Sequence, residues 1–350
     1  MDIAFTDEQQ LLQDTVARLA ATLAVAGPGA IPSGAALDTQ WHRIVELGVP
    51  ALRAPSLSGL EASGVETAIV VEQLARVLSA VPVVGQAVLA TELLDAAGAG
   101  KELALVAAGA LRVAPALATD LTRFSSTDEP GVVFDAAGAT HALGMSRTDG
   151  QRRLVCVPLD TDKREITEGL DLTRAIRKVR VDPADPGRLI GGPIGDERWS
   201  RVEALGMTAV AADLLGVMQG ALDEAVRYAG ERTQFGAKIG SFQAVQHLLA
   251  DALVQVEGAR SCLWHAAWAI DHLPVAEARL AAMAAKAYAS AAGREVVEAS
   301  AQVFGGIAIT WEHVSHLRMR RMLLDRRLFG DETEHYEAIA ALRLSNREMA

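Results

Sequence analysis

Apolar residues recur along this chain at two different intervals, and the change from one to the other divides it. Leu11, Leu12, Val16, Leu19 and Leu23 follow Thr6 at helical spacing, and Thr6 with Gln9 has the spacing of a capping box, so the first element is predicted to be a helix. Gly27 to Gly34 interrupts it with prolines and glycines. Trp41 to Pro50 then reads as a short helix stopped by Gly48 and Pro50, and Glu66 to Leu78 and Gly85 to Leu94 supply two more. From Leu103 to about Pro183 the texture changes. Short runs at Leu103–Ala107, Gly131–Phe134, Leu154–Pro158 and Ile176–Val181 are bounded by Gly, Asp and Pro, and the last alternates roughly between apolar and charged. These predict a small β domain. The helical interval returns at Trp199. Leu214, Val217, Met218, Leu222, Ala225 and Val226 form one face, and Phe242, Val245, Leu249, Leu253 and Val256 form another, on a helix that Ser241 is placed to cap. Pro274 opens an Ala-rich helix running to about Val303 and ended by Phe304-Gly305-Gly306; Thr310 or Trp311 to Leu324 and Asp331 to Leu342 complete about five antiparallel helices. The predicted fold is mainly α with a small β domain: an N-terminal helical domain over 1–98, a middle β domain over 99–195 and a C-terminal helix bundle over 196–350.

Composition narrows the partners. Half of the residues are apolar, enough for a large core, and scarce aromatics beside abundant Ala favour closely packed helices. A net charge of −11 argues against nucleic acid or an anionic membrane surface. Cys156 and Cys262 show no metal or redox spacing, and His247, His313, His316 and His335 share no ligand spacing, so neither a disulfide nor a metal site is expected. The N-terminus, Met1 to Glu8, lacks a basic region followed by an apolar core, and no uninterrupted apolar run reaches membrane-spanning length, so a cytoplasmic location is expected. The basic run Arg318, Arg320, Arg321, Arg326 and Arg327 is interspersed with Met319, Leu323 and Leu324, which predicts a solvated or subunit-facing helix.

The most informative stretch runs from Glu231 to His247. A long helix ends near Gly230, a glycine-punctuated loop follows, and a second helix begins, so Arg232 and Gln243 flank one loop at two helix ends. A guanidinium beside the free N–H groups of a helix start suits a pyrophosphate. The order Arg232, Gln234, Phe235, Gly236, Ile239, Gly240, Phe242, Gln243, Ala244, Val245, His247, followed by Gln302-Val303-Phe304-Gly305-Gly306, resembles the C-terminal helical domain of the flavin-dependent acyl-CoA dehydrogenases.

That resemblance implies FAD as cofactor and an acyl-CoA thioester as substrate, desaturated between its α and β carbons, with an electron-transfer acceptor downstream. Arg232 would pair with the FAD pyrophosphate, Gln234 and Phe235 would line the flavin, and Gln243 would bond the dinucleotide. Gln302, Gly305 and Gly306 would reach the cofactor held by the neighbouring subunit, so a homo- or hetero-oligomer is implied. The family's carboxylate base occupies one of two places, which fall here on Gly206 and on Phe329 or Gly330, and neither holds a carboxylate. Glu203 stands one helical turn from the first place; Asp331 and Glu332 follow the second and equally suit the start of a helix. The N-terminal fit is looser, Ser56-Leu57-Ser58-Gly59-Leu60 replacing the family's Gly-Gly loop. The family's Thr-Glu-Pro segment of the β domain has only Ala114 to Asp120 or Ser125 to Pro130 as counterparts. Among family members the chain resembles the short bacterial ones that act as unlike subunits on bulky, steroid-type acyl-CoAs, here as the supporting subunit without a base. Two alternatives stay open: a self-sufficient homomer using Glu203, Asp331 or Glu332, and a helical scaffold without flavin.

Overall fold

The computed structural model describes residues 5–60, 63–148, 150–159, 169–180 and 187–348; Met1 to Ala4, Val181 and Pro183, named above, lie outside these. Helix α1 (Asp7–Ala21) starts where the capping box places it: the Gln9 amide donates to Thr6 Oγ1 at 3.2 Å and the Gln9 side chain accepts from the Thr6 amide at 3.1 Å. Helices α2 (Ala35–Glu46), α3 (Pro55–Ser58) and α4 (Gly64–Arg76) follow, and a π-helical turn, Val83–Leu89, runs into α5 (Ala90–Ala96). Residues Leu103–Ala107, expected as a strand, instead end the helix α6 (Gly100–Ala107). Leu103 and Val106 are three apart and both buried, while Leu105 between them is exposed; a five-residue apolar run is too short for its period to be read from sequence.

The middle of the chain folds into one six-stranded sheet. Its strands are β1 (Val113–Ala118), β2 (Gly131–Val133), β3 (His141–Thr148), β4 (Gln151–Pro158), β5 (Arg177–Val179) and β6 (Arg188–Ile194), in the order β5-β2-β1-β3-β4-β6. The β1–β3 pair is parallel and the other pairs are antiparallel.

Helix α7 (Asp196–Glu231) leads out of the sheet and through the centre of the remaining structure. A hairpin of β7 (Thr233–Gln234) and β8 (Ala237–Lys238) follows, then α8 (Gln243–His272), α9 (Val275–Phe304), α10 (Ser315–Arg327) and α11 (Glu332–Glu348). Helix α7 is long and apolar enough to cross a membrane, yet 94% of its apolar window is buried inside the protein, against α4, α8, α9 and α10. A helix apolar all round is what such a central position requires. At Gly216 and Gly220 a Cβ would stand 2.3 Å from the Glu72 carbonyl oxygen and 2.1 Å from that of Arg76, so α4 crosses α7 too closely for any larger residue. Ser241 caps nothing: α8 begins behind Phe242, and the Ser241 hydroxyl donates to the Lys238 carbonyl at 2.6 Å. The two faces drawn from periodicity are incompletely buried, for Val226, Phe242 and Leu253 are exposed.

The basic run of α10 also departs from expectation. Arg318 and Arg321 are buried, not solvated: Arg318 pairs with Glu224 at 2.6 Å, and Arg321 grips Asp213 of α7 through two bonds of 2.7 Å. Arg321 belongs to a junction that ties the sheet to the bundle. Arg174, from the segment before β5, bonds Asp135 after β2 at 2.7 Å and also meets Asp213, while Asp171 and Asp325 lie 3.7 Å from its Nε. Four buried carboxylates thus face two guanidinium groups. Burial and the charge of Asp213 push the Asp325 carboxyl well above the usual range, whereas Arg174 and Arg321 overcome burial at Asp213 and hold it low.

Candidate functional site

Arg232 stands at the C-terminal end of α7, in extended conformation, with its side chain exposed. Its carbonyl accepts from the Ile239 amide at 2.9 Å, closing the β7–β8 hairpin on the helix end. The turn residues Phe235 and Gly236 both take positive φ, 54° and 79°, as a two-residue hairpin turn of this hand requires. For Phe235 that conformation is costly, and its ring is 95% exposed. Gln243 is the first residue of α8, whose N-terminus has no side-chain cap, so its leading amides face outward.

The second motif block arrives beside the first. Phe304, at the end of α9, packs on Tyr228 of α7 with ring centroids 4.9 Å apart, in a cluster with Ala225, Ala229, Val303 and Ala308 that also takes in Ile239 and Val245. Gly305 ends α9 at φ 66°, and a Cβ on either Gly305 or Gly306 would meet nothing within 4 Å. Gln302, one turn before, is exposed. The seven residues Arg232, Gln234, Phe235, Gln243, Gln302, Gly305 and Gly306 thus share one exposed end of the bundle. An uncapped helix start, a guanidinium with no ion pair among the described residues and Cβ-free backbone fit a dinucleotide. Ile307, Ile309 and Trp311 add exposed apolar side chains there.

The two base positions also meet, in the first third of α7. A Cβ on Gly206 would lie 2.9 Å from Cζ of Phe329, whose ring therefore covers that stretch of the helix. Phe329 stacks edge-on against Phe124 at 5.3 Å, and Phe124 against Trp199 at 5.2 Å. What remains open is a cleft of ≈ 240 Å³ between α7, α9, α11 and the Thr122–Arg123 loop, with Glu203, Arg279, Phe329 and His335 in its wall.

The three candidate carboxylates are held in distinct ways. Glu203 lines the cleft and accepts from Trp199 Nε1 at 3.0 Å. Asp331 caps α11, accepting from the Thr333 and Glu334 amides, and pairs with Arg327 at 2.7 Å. Glu332 accepts from Arg326 Nε at 2.8 Å. Burial raises Asp331, but the Glu334 amide and Arg327 outweigh it; the Arg326 hydrogen bond lowers Glu332 directly. A carboxylate held below its ordinary range is a poorer proton acceptor.

His335 was not distinguishable in the sequence as part of this wall. Its ring is buried, Nε2 has no hydrogen-bond partner among the described residues, and burial with the neighbouring Lys286 charge pushes its imidazole from 6.5 down to about 4. The unfolded chain takes up a proton near pH 6.5 whereas the folded one resists until about pH 4, so stability present above pH 6.5 is lost as pH falls towards 4. His335→Gln should be less sensitive than the parent chain between pH 7 and 5 by about 1–2 kcal/mol in urea titrations; parallel profiles would show that the ring is not kept neutral.

Residues 204–342 match the family model described as acyl-CoA dehydrogenase, C-terminal domain. Over 330 residues the chain is 32% identical to the acyl-CoA dehydrogenase IpdE2 of Mycobacterium tuberculosis, covering 90% of this chain and 91% of that protein. Two solved structures share the fold. One is a Tcur3481-Tcur3483 steroid ACAD variant, with TM-score 0.81, 23% identity and coverage of 98% and 99%. The other is the ChsE4-ChsE5 complex of Mycobacterium tuberculosis, with TM-score 0.77, 22% identity and coverage of 97% and 98%.

Proposed function

The chain belongs to the acyl-CoA dehydrogenase family, and from that membership we propose that it is the supporting subunit of a heteromeric, FAD-dependent enzyme acting on a bulky, steroid-type acyl-CoA. The observation that carries this reading is a distance. Gly206 lies in the first third of α7 and Arg232 just past its last residue, roughly 39 Å apart at the helical rise of 1.5 Å per residue. The five-carbon ribityl chain between a flavin ring and its pyrophosphate reaches only a small part of that length. A cofactor gripped by Arg232 therefore lays its ring in the cleft of another chain.

In this reading Arg232 neutralises the pyrophosphate, the α8 N-terminus and Gln243 bond it, and Gly305 and Gly306 let backbone approach the adenine side. Gln234 and Phe235 close over the cofactor from the hairpin, and Ile309 and Trp311 are covered by the partner. FAD, when bound, supplies the hydride acceptor. The partner supplies the carboxylate that removes the α-proton, because here Phe329 fills the space over Gly206 and no carboxylate occupies either base position. The steroid-type substrate and the unlike partner are carried over from the solved structures whose names state them. The three-part division at 98/99 and 195/196 and an electron-transferring acceptor belong to the same proposal.

Purified alone, the chain is expected to hold flavin well below one per subunit and to show no dehydrogenation of acyl-CoAs. Purified with its unlike partner, it should carry one flavin per pair and turn over. One tightly held flavin per chain with rapid turnover in isolation would refute the assignment, and loss of that turnover in Glu203→Gln would give the homomeric reading its base. Glu203 already lines the cleft, which is what keeps that second reading specific. A heteromer with no flavin absorbance would leave the scaffold reading.

A further inference from the structure

We propose that Lys286 is the positioning residue that keeps the space over Gly206 filled, by tying the turn between α10 and α11 to α9 and so pinning Phe329 there. That the space over Gly206 is a base position rests on the function proposed above; the tie itself does not.

Lys286 lies in the middle of α9 and is fully buried, although most lysines keep their ammonium in water. Its Nζ donates to Ser290 Oγ at 2.8 Å, to the Arg326 carbonyl at 2.9 Å and to the Gly330 carbonyl at 2.7 Å. The last two acceptors bracket the turn: Arg326 sits in the last turn of α10, and Gly330 just precedes α11. Between them the backbone takes positive φ at Phe329, 58°, and at Gly330, 94°. A phenylalanine in that region is strained and persists only where its surroundings hold it. Two holds are visible. One is the Phe329 amide, which donates to the Leu121 carbonyl in the loop after β1 at 2.9 Å, and the other is the Lys286 tie behind it.

The charged groups around the amine agree with such a role. Asp325 and Arg326 face it from α10, Asp331 from the turn, and Glu332 and His335 from α11. Burial draws the amine from 10.5 down to about 7, with the three carboxylates opposing. An apolar residue of equal length would avoid that cost and leave both carbonyls unbonded. A lysine serving packing alone could be replaced by methionine without a local consequence.

The test is amide hydrogen exchange, resolved to the Phe329 amide, in the full chain and in Lys286→Met. The expected result is exchange at Phe329 ten- to a hundredfold faster, with the central amides of α7 and α9 unchanged. Equal acceleration throughout would mean a purely structural lysine and overturn the proposal, as would an unchanged rate at Phe329 in a folded variant. Should Lys286→Met fail to fold, Ser290→Ala removes one of the three acceptors, and the same selective but smaller acceleration is expected; no change at Phe329 would again overturn it. None of these readings depends on flavin or turnover, so the tie can fail while the functional assignment stands, and the reverse.

Discussion

Replacing Arg232 by alanine in the assembled enzyme should weaken FAD binding about 10- to 150-fold, the equivalent of roughly 1.5–3 kcal/mol for a hydrogen-bonded charge pair lost from a pyrophosphate. The fold should not change with it. The side chain is exposed and makes no ion pair among the described residues, while the hairpin is closed by the Arg232 backbone, which alanine retains. Flavin content after gel filtration and FAD titration of the deflavinated enzyme would measure the effect. Because the cofactor's ring is placed in the other chain's cleft, the loss should appear although every residue around that ring is untouched. An Arg232→Ala heteromer with undiminished flavin would remove the exposed bundle end from the cofactor site.

The second large effect lies at the junction of sheet and bundle. Arg174→Ala should cost about 3–5 kcal/mol, because it leaves buried carboxylates without their shared counter-charge. Asp213→Asn should cost nearly as much, since Asp213 bonds both Arg174 and Arg321. Asp325→Asn should cost much less than either: burial and the charge of Asp213 push its carboxyl well above the usual range, so its ionised form is the least favoured at the junction, and a carboxamide has nearly the same shape. Urea midpoints of the three variants test that order. A large loss in Asp325→Asn would show that Asp325 is ionised and that the junction distributes its charge differently.

Much of the architecture was open to reading in the sequence because it depends on neighbours along the chain. The capping box at Thr6, the glycine stop after α9 and the long apolar intervals of α7 and α8 are local patterns, and each became the element it predicts. The short strands were harder. β1, β3 and β6 carry too few alternations to be drawn with their boundaries, and Leu103–Ala107 shows that the same punctuation can enclose a helix turn. Ser241 looked like a cap because its residue type favours that place, yet the hairpin had already turned its hydroxyl back to Lys238. The arginines of α10 looked solvated because a sequence does not state which carboxylates burial will bring to them.

The motif blocks around Arg232 and Gly305 needed only the order of residues to be recognised, and the missing carboxylates at Gly206 and Phe329 could be counted from them. That these two empty positions face one another, with an aromatic ring filling the gap and a buried lysine behind it, emerged only from packing between α7, α9 and the turn before α11. So did the separation of the cofactor motif from the cleft by most of the length of α7. Local spacing along a chain sets what each segment can become; which distant segments then touch is chosen by the burial of apolar surface over the whole molecule, a sum to which no single stretch holds the answer.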